Sequence, residues 1–144
     1  MEITRQADYA VRAVLEIAYL PAGQRAPTSE IAERQQIPAT FLAKIVAQLA
    51  VVGIVNTTRG AKGGVMLARP PGEITLLEVV EAIDGPMTLN ACVADRSACS
   101  MGAECPVHNV WCEAQAVLAD KLRATSFANL MQRNGASARA ARAI

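Results

Sequence analysis

The sequence predicts a mainly α-helical chain with one small β-hairpin, on three observations. Alanine occurs 28 times in 144 residues while the aromatics number five, a balance that favours helices over an all-β sandwich. Apolar residues recur at helical spacing in four separate stretches, and only one pair of β-prone runs flanks a glycine-rich turn. The length is one domain's worth of chain. With 52% apolar and 19% charged residues it is a sequence that folds. Mean hydropathy is +0.23, yet no apolar run reaches the roughly 18 residues of a membrane span.

Each element has a local cause. The first helix, about Thr4 to Leu20, repeats Ala7, Ala10, Val11, Val14, Leu15 and Ala18, and Pro21-Ala22-Gly23 ends it. A short second helix follows Pro27, with Thr28 or Ser29 as N-cap and Glu30 in its first turn. The third opens at Pro38, carries Phe41, Leu42, Ile45, Val46, Leu49 and Val52, and stops at Gly53. Ile54–Thr58 and Val65–Ala68 form the hairpin around Arg59-Gly60-Ala61-Lys62-Gly63-Gly64. A fourth helix, Leu76 to Ile83, breaks at Asp84-Gly85-Pro86. Residues 87–106 show no period. A longer helix runs from about Val107 to Arg123 and a short one begins at Thr125. The tail, 133–144, reads as disordered.

Three helices and a hairpin within residues 1–72 are the order of a winged helix-turn-helix, whose third helix can enter a DNA major groove. Residues 1–70 hold eight Lys/Arg against five Asp/Glu, and the remainder six against eight, which places any polyanion on the first half. On the third helix the exposed polar positions are Thr40, Lys44 and Gln48. Thr40 and Lys44, one turn apart, are candidates for bases or phosphates, against plain roles as a cap and a solvated lysine. At the hairpin tip Arg59, Gly60 and Lys62 offer charge on a backbone that can approach a sugar-phosphate chain closely. A nucleotide-phosphate loop fits less well, because such loops open onto a helix and here a strand follows.

The second half, 73–132, contains all four cysteines, Cys92, Cys99, Cys105 and Cys112, and the one histidine, His108. The N-terminus lacks a signal-peptide pattern, so a reducing cytoplasm is expected, where clustered thiols are metal ligands or redox groups more often than disulfides. Only Cys105 and His108 have the tight spacing of a zinc knuckle. The wider gaps favour an iron–sulfur cluster over zinc, with four structural thiols as the plain alternative. Cys112, one turn past His108, reads as a small apolar residue beside Trp111, or as a spare ligand or resolving thiol.

Ile3-Thr4 with Asp8-Tyr9-Ala10, the wing Arg59-Gly60-x2-Gly63-Gly64, and the Cys92/Cys99/Cys105/His108 loop together resemble the IscR/NsrR family of winged-helix transcription regulators, over about residues 1–132. The resemblance implies a homodimeric repressor or activator, with the helix at about 107–123 as dimer seam and the loop at about 87–106 near the partner's DNA-binding domain. It implies Cys92, Cys99 and Cys105 as cluster ligands. The fourth is a histidine placed like His108 on a 2Fe–2S cluster, or an aspartate placed like Asp8, from the other subunit, on a 4Fe–4S cluster. The run Cys105-Pro106-Val107-His108-x2-Trp111 is closer to the histidine-ligated branch, which favours 2Fe–2S. Asp8 also has an ordinary role, an ion pair with Arg12 one turn on. Two departures stand out. The first cysteine gap is one residue longer than in IscR-type members, and Ala43 replaces a glutamate that helps some of them choose between DNA sites.

A cluster bound mainly to one conformer shifts a dimer between DNA-competent and incompetent states through its differential affinity alone. Such a dimer reads an inverted-repeat operator in double-stranded DNA. The rival expectations are a zinc-stabilised or thiol-switch winged helix without a cluster, and a protein-interaction module. No grouped acid, base and nucleophile marks an enzyme, and neither a small-molecule substrate nor a membrane is expected.

Overall fold

The computed structural model describes residues 2–98, 100–101 and 104–133. Along these residues run α1 (Arg5–Ala18), α2 (Thr28–Gln35), α3 (Ala39–Val51), β1 (Val55–Thr58), β2 (Gly64–Leu67), α4 (Leu76–Asp84), a short α5 (Ala91–Ala94), α6 (His108–Arg123) and α7 (127–133). The mainly helical winged-helix expectation is met.

Helix α1 starts where expected because the Thr4 hydroxyl accepts from the Ala7 amide. Its buried face is mostly alanine, Ala7, Ala10, Ala13 and Ala18 with Val14 and Ile17, and small side chains let neighbouring helices approach closely. Helix α2 differs from expectation. It begins at Thr28, and neither Thr28 nor Ser29 caps it through a side chain. The Pro27 carbonyl accepts from both Glu30 and Ile31, so the helix starts one residue early. Pro38 likewise stands just outside α3, its carbonyl accepting from Leu42. Gly53, at φ +76°, ends that helix as expected.

The hairpin pairs Val55 with Leu67 and Thr58 with Gly64 in antiparallel register. Ala26 adds a third backbone segment, exchanging hydrogen bonds of 3.1 and 2.8 Å with Val65. Glycine is required at 64, since a Cβ there would come within 2.5 Å of the Ala26 carbonyl oxygen at φ +150°. Beyond the hairpin a capping box between Thr75 and Glu78 opens α4, and Arg69 joins Glu78 to the Gly53 and Glu73 carbonyls.

One core gathers Ile31, Leu42, Ile45, Leu49, Ile54, Val65, Ile74 and Val79. Phe127, fully buried on α7, belongs to it. Its amide donates to Ile74 while Leu76 donates to Thr125, so the chain re-enters the core beside the start of α4. The last helix begins after Thr125, with the Ser126 hydroxyl accepting from Asn129. The segment expected to be aperiodic contains α5 and a 3₁₀ turn at Arg96–Ala98. These are short, locally bonded turns that carry no hydrophobic period. The expected tail lies outside the described residues apart from Arg133, the last residue of α7.

Candidate nucleic-acid interface and cysteine loop

Thr40 and Lys44 are both exposed in the first two turns of α3, with Ala43 and Ala47 exposed beside them. Phe41 is 43% exposed and meets Tyr9 of α1 with ring centroids 6.4 Å apart. The Arg12 guanidinium lies 5.4 Å from the centre of that Tyr9 ring. The start of α3 is thereby braced from α1, and its polar positions face outward. Gln48 is a correction: it is half-buried, and its Oε1 has no hydrogen-bond partner among the described residues. The position lies at the flank of the exposed strip of α3, which continues through Ala47 and Val51.

At the hairpin tip the Gly63 amide donates to Gly60 at 2.9 Å, and Gly60 adopts φ +107°. A Cβ on Gly63 would collide with the Thr58 carbonyl oxygen. Arg59 and Lys62 are exposed on this turn. Among the described residues Lys44, Arg59 and Lys62 enter no ion pair, which leaves three cations for an outside anion.

Sequence reasoning missed what lies beside the tip. Pro27 and Thr28 form a cleft of about 230 Å³ with Thr57, Thr58, Gly60, Gly63, Gly64 and Val65. The start of α2 thus opens next to the wing with its first amides unused by the helix. The signal was the proline before α2, which leaves those amides without a side-chain cap.

In the second half α5 packs against α6, and Gln115 of α6 holds the approach to α5 by accepting from the Leu89 amide at 2.8 Å. Cys92 on α5, Cys105 before α6 and Cys112 within α6 are free, half-buried thiols. Cys99 lies outside the described residues. His108 opens α6, 7% exposed, its amide donating to Cys105 at 3.2 Å. Its Nε2 faces Arg96 Nε at 3.3 Å and Cys112 Sγ at 3.5 Å. Cys112 therefore makes a polar contact rather than acting only as an apolar neighbour of Trp111. Asp95 accepts from the Ser97 hydroxyl at 2.7 Å and amide at 2.9 Å. Those two bonds, the hydroxyl's first, hold its carboxyl below the usual aspartate range.

Among the described residues no three His, Cys, Asp or Glu side chains converge into a ready metal cage. The donor chemistry nonetheless fits a thiophilic group: three free thiols and a buried imidazole on segments that pack together. Asp8 is exposed and pairs with Arg12 at 3.6 Å, its ordinary role. Both line an open polar cleft of about 430 Å³ with Glu2, Ile3, Arg5, Tyr9 and Gln36.

Residues 3–133 match the model of the Rrf2 family, described as an iron-dependent transcriptional regulator. The HTH-type transcriptional regulator IscR of Citrobacter koseri is 32% identical over 129 residues, 90% of this chain and 75% of that protein. Two solved structures share the fold. T. potens IscR has a TM-score of 0.72 at 22% identity, over 93% of this chain and 88% of its own. CymR of B. subtilis, described as the global cysteine regulator, has 0.77 at 20%, over 92% and 98%.

Proposed function

The chain belongs to the Rrf2 family of transcriptional regulators, IscR among its relatives, and from that premise we propose a homodimeric regulator of transcription that holds an iron–sulfur cluster, 2Fe–2S in preference to 4Fe–4S, in its cysteine loop. One observation carries the reading. A single chain joins cations on α3 and the wing that are unpaired among the described residues to a loop that presents free thiols and a buried imidazole at the first turn of α6.

On DNA, Thr40 and Lys44 meet base edges or phosphates in the major groove, and Arg59, Gly60 and Lys62 bring the wing onto the adjacent backbone or minor groove. The dimer forms along α6, where Val107, Val110, Trp111 and Val117 are exposed large apolar side chains on one helix and its entry. A twofold seam there sets two winged helices to an inverted repeat of double-stranded DNA. Organised in this way, residues 1–72 bind DNA and 73–132 sense and dimerise.

Cys92, Cys99, Cys105 and His108 hold the cluster, with Asp8 of the partner subunit as the alternative fourth ligand. Once bound, the cluster supplies redox chemistry and sensitivity to oxidants, nitric oxide and iron supply. His108 couples ligation to α6, and α6 runs through Thr125 into Phe127 and the DNA-binding core. The protein acts in the reducing cytoplasm, without catalysis, membrane or small-molecule substrate. Among the described residues no helix is long and apolar enough to cross a membrane.

A second reading rests on the three free thiols and the fold shared with CymR: a cluster-free thiol switch. Iron and acid-labile sulfide counted on protein purified without oxygen, with its visible spectrum, decide between them. About two of each per chain support 2Fe–2S with His108, and about four of each move the fourth ligand to Asp8. A colourless protein that cannot be rebuilt with iron and sulfide leaves the thiol switch. A Cys92/Cys99/Cys105 triple alanine variant that retains cluster-dependent DNA affinity overturns the sensing proposal.

A further inference from the structure

His108 is the only histidine in the chain, and its Nε2 is engaged from two directions. Arg96, in the 3₁₀ turn of the cysteine loop, reaches across twelve positions to place Nε at 3.3 Å. Cys112, one helical turn along α6, places Sγ at 3.5 Å. Arginine offers donors only. A ring nitrogen that receives it therefore turns its lone pair toward the guanidinium and leaves the ring hydrogen on Nδ1. That lone pair is the one through which an Nε2-bound imidazole ligates a metal. It is single, and the ring around it is nearly closed to solvent.

The position of Arg96 is itself set. The Asp95 carboxylate accepts from the amide and hydroxyl of Ser97, which closes the turn around residue 96. Arg96 is otherwise exposed and forms no ion pair among the described residues, so its charge is not committed to another group.

We propose that Arg96 masks His108: in the metal-free chain it occupies, with Cys112 beside it, the electron pair that the iron–sulfur group requires, and so sets how readily the loop takes up and gives back that group. The inference rests on the reading of His108 as a cluster ligand. Ligation at Nε2 first requires Arg96 to withdraw, and loss of the group lets Arg96 return. The metal-free loop is thereby a defined state with its own hydrogen bond, in competition with the loaded one.

Two measurements test this. The first needs no metal: carbethoxylation of the metal-free protein by diethyl pyrocarbonate, followed by ultraviolet absorbance, reads access to this one imidazole. Arg96→Ala is expected to react about three- to tenfold faster than the parent chain, the factor that corresponds to one net hydrogen bond. Cys112→Ala should show a smaller increase and His108→Gln none of the signal. Because Arg96 is exposed, its removal leaves the core intact, which an unchanged circular dichroism spectrum verifies. The second measurement loads each protein with ferrous iron and sulfide without oxygen and titrates a chelator. Arg96→Ala is expected to retain iron about three- to tenfold more tightly.

An unchanged carbethoxylation rate in Arg96→Ala overturns the mask whatever the iron does. Faster carbethoxylation with weaker iron retention also overturns the competition, because Arg96 then serves the loaded loop as a counter-charge. Faster carbethoxylation, when neither the parent chain nor Arg96→Ala takes up iron, leaves the mask standing and removes the cluster reading instead.

Discussion

Asp8 lies 3.6 Å from Arg12, one turn along α1, and Arg12 also donates to the carbonyl of Gln35 at the end of α2. The aspartate named above as the alternative, partner-supplied ligand is therefore part of the joint between α1 and the turn before α3. His108, by contrast, is held by Arg96, Cys105 and Cys112, all within the thiol-bearing segment and α6. Asp8→Ala should leave iron and sulfide per chain unchanged, while His108→Ala should weaken iron retention by at least about tenfold, no less than loss of an outer-shell partner costs. Chelator titration of both variants, prepared without oxygen, checks this.

The wing depends on its glycines more than on its cations for shape, and Gly64 and Gly60 do so for different reasons. Gly64→Ala pushes a methyl group into the Ala26 carbonyl, and Gly60→Ala only strains an open turn. Gly64→Ala is expected to lower stability by about 2–3 kcal/mol and Gly60→Ala by about 1 kcal/mol. Urea unfolding of the two variants gives the order, and equal losses would mean that the Ala26 approach does not set the requirement.

Removing a wing cation acts on DNA affinity and leaves folding alone. Arg59→Ala or Lys62→Ala should reduce the slope of log affinity against log salt by about 0.9 for each phosphate that the missing side chain had neutralised. Lys44→Ala should narrow the gap between operator and random duplex if it reads a base. Fluorescence anisotropy at several salt concentrations measures both quantities.

Phe127 fills the core from the far end of the described chain. Phe127→Ala is expected to cost about 3–5 kcal/mol and to weaken operator binding even though it touches no DNA. A variant that unfolds with the parent midpoint would separate α7 from the DNA-binding half.

Acid should act on the loop through Asp95. Its folded-state carboxyl titrates below its unfolded value, so its contribution is complete above the unfolded value and fades as pH falls through the folded one. The group is on the surface and the effect on stability is small. In a carboxyl-resolved NMR titration, Ser97→Ala should move the Asp95 midpoint upward toward that of an ordinary aspartate.

Much of this was legible in the residues. Helical period placed α1, α3, α4 and α6, and glycine with flanking β-prone runs placed the wing, because these elements bury one face against a common core. The start of α2 differs from the cap pattern of Thr28 and Ser29 because the Pro27 carbonyl, not a side chain, opens it. Gln48 follows Lys44 by one turn, yet it lies at the flank of the exposed strip that runs through Thr40, Lys44, Ala47 and Val51, a difference of angle that the residue type does not reveal. In the cysteine loop the residue types suggest a ligand set, which the described residues do not bring together, and nothing in the sequence singles out Arg96. Its role comes from a contact across twelve positions, created by an Asx turn and a helix start, and no short-range pattern encodes that.

The return of Phe127 to the core also orders events during synthesis. The first three helices and the wing emerge from the ribosome early, yet their shared interior stays open until residue 127 has been made and has come back beside Ile74. By then the whole thiol-bearing segment is already outside. A nascent chain therefore exposes the segment that bears its thiols before its core is closed, so, on the proposed reading of that segment, loading can precede the first encounter with an operator.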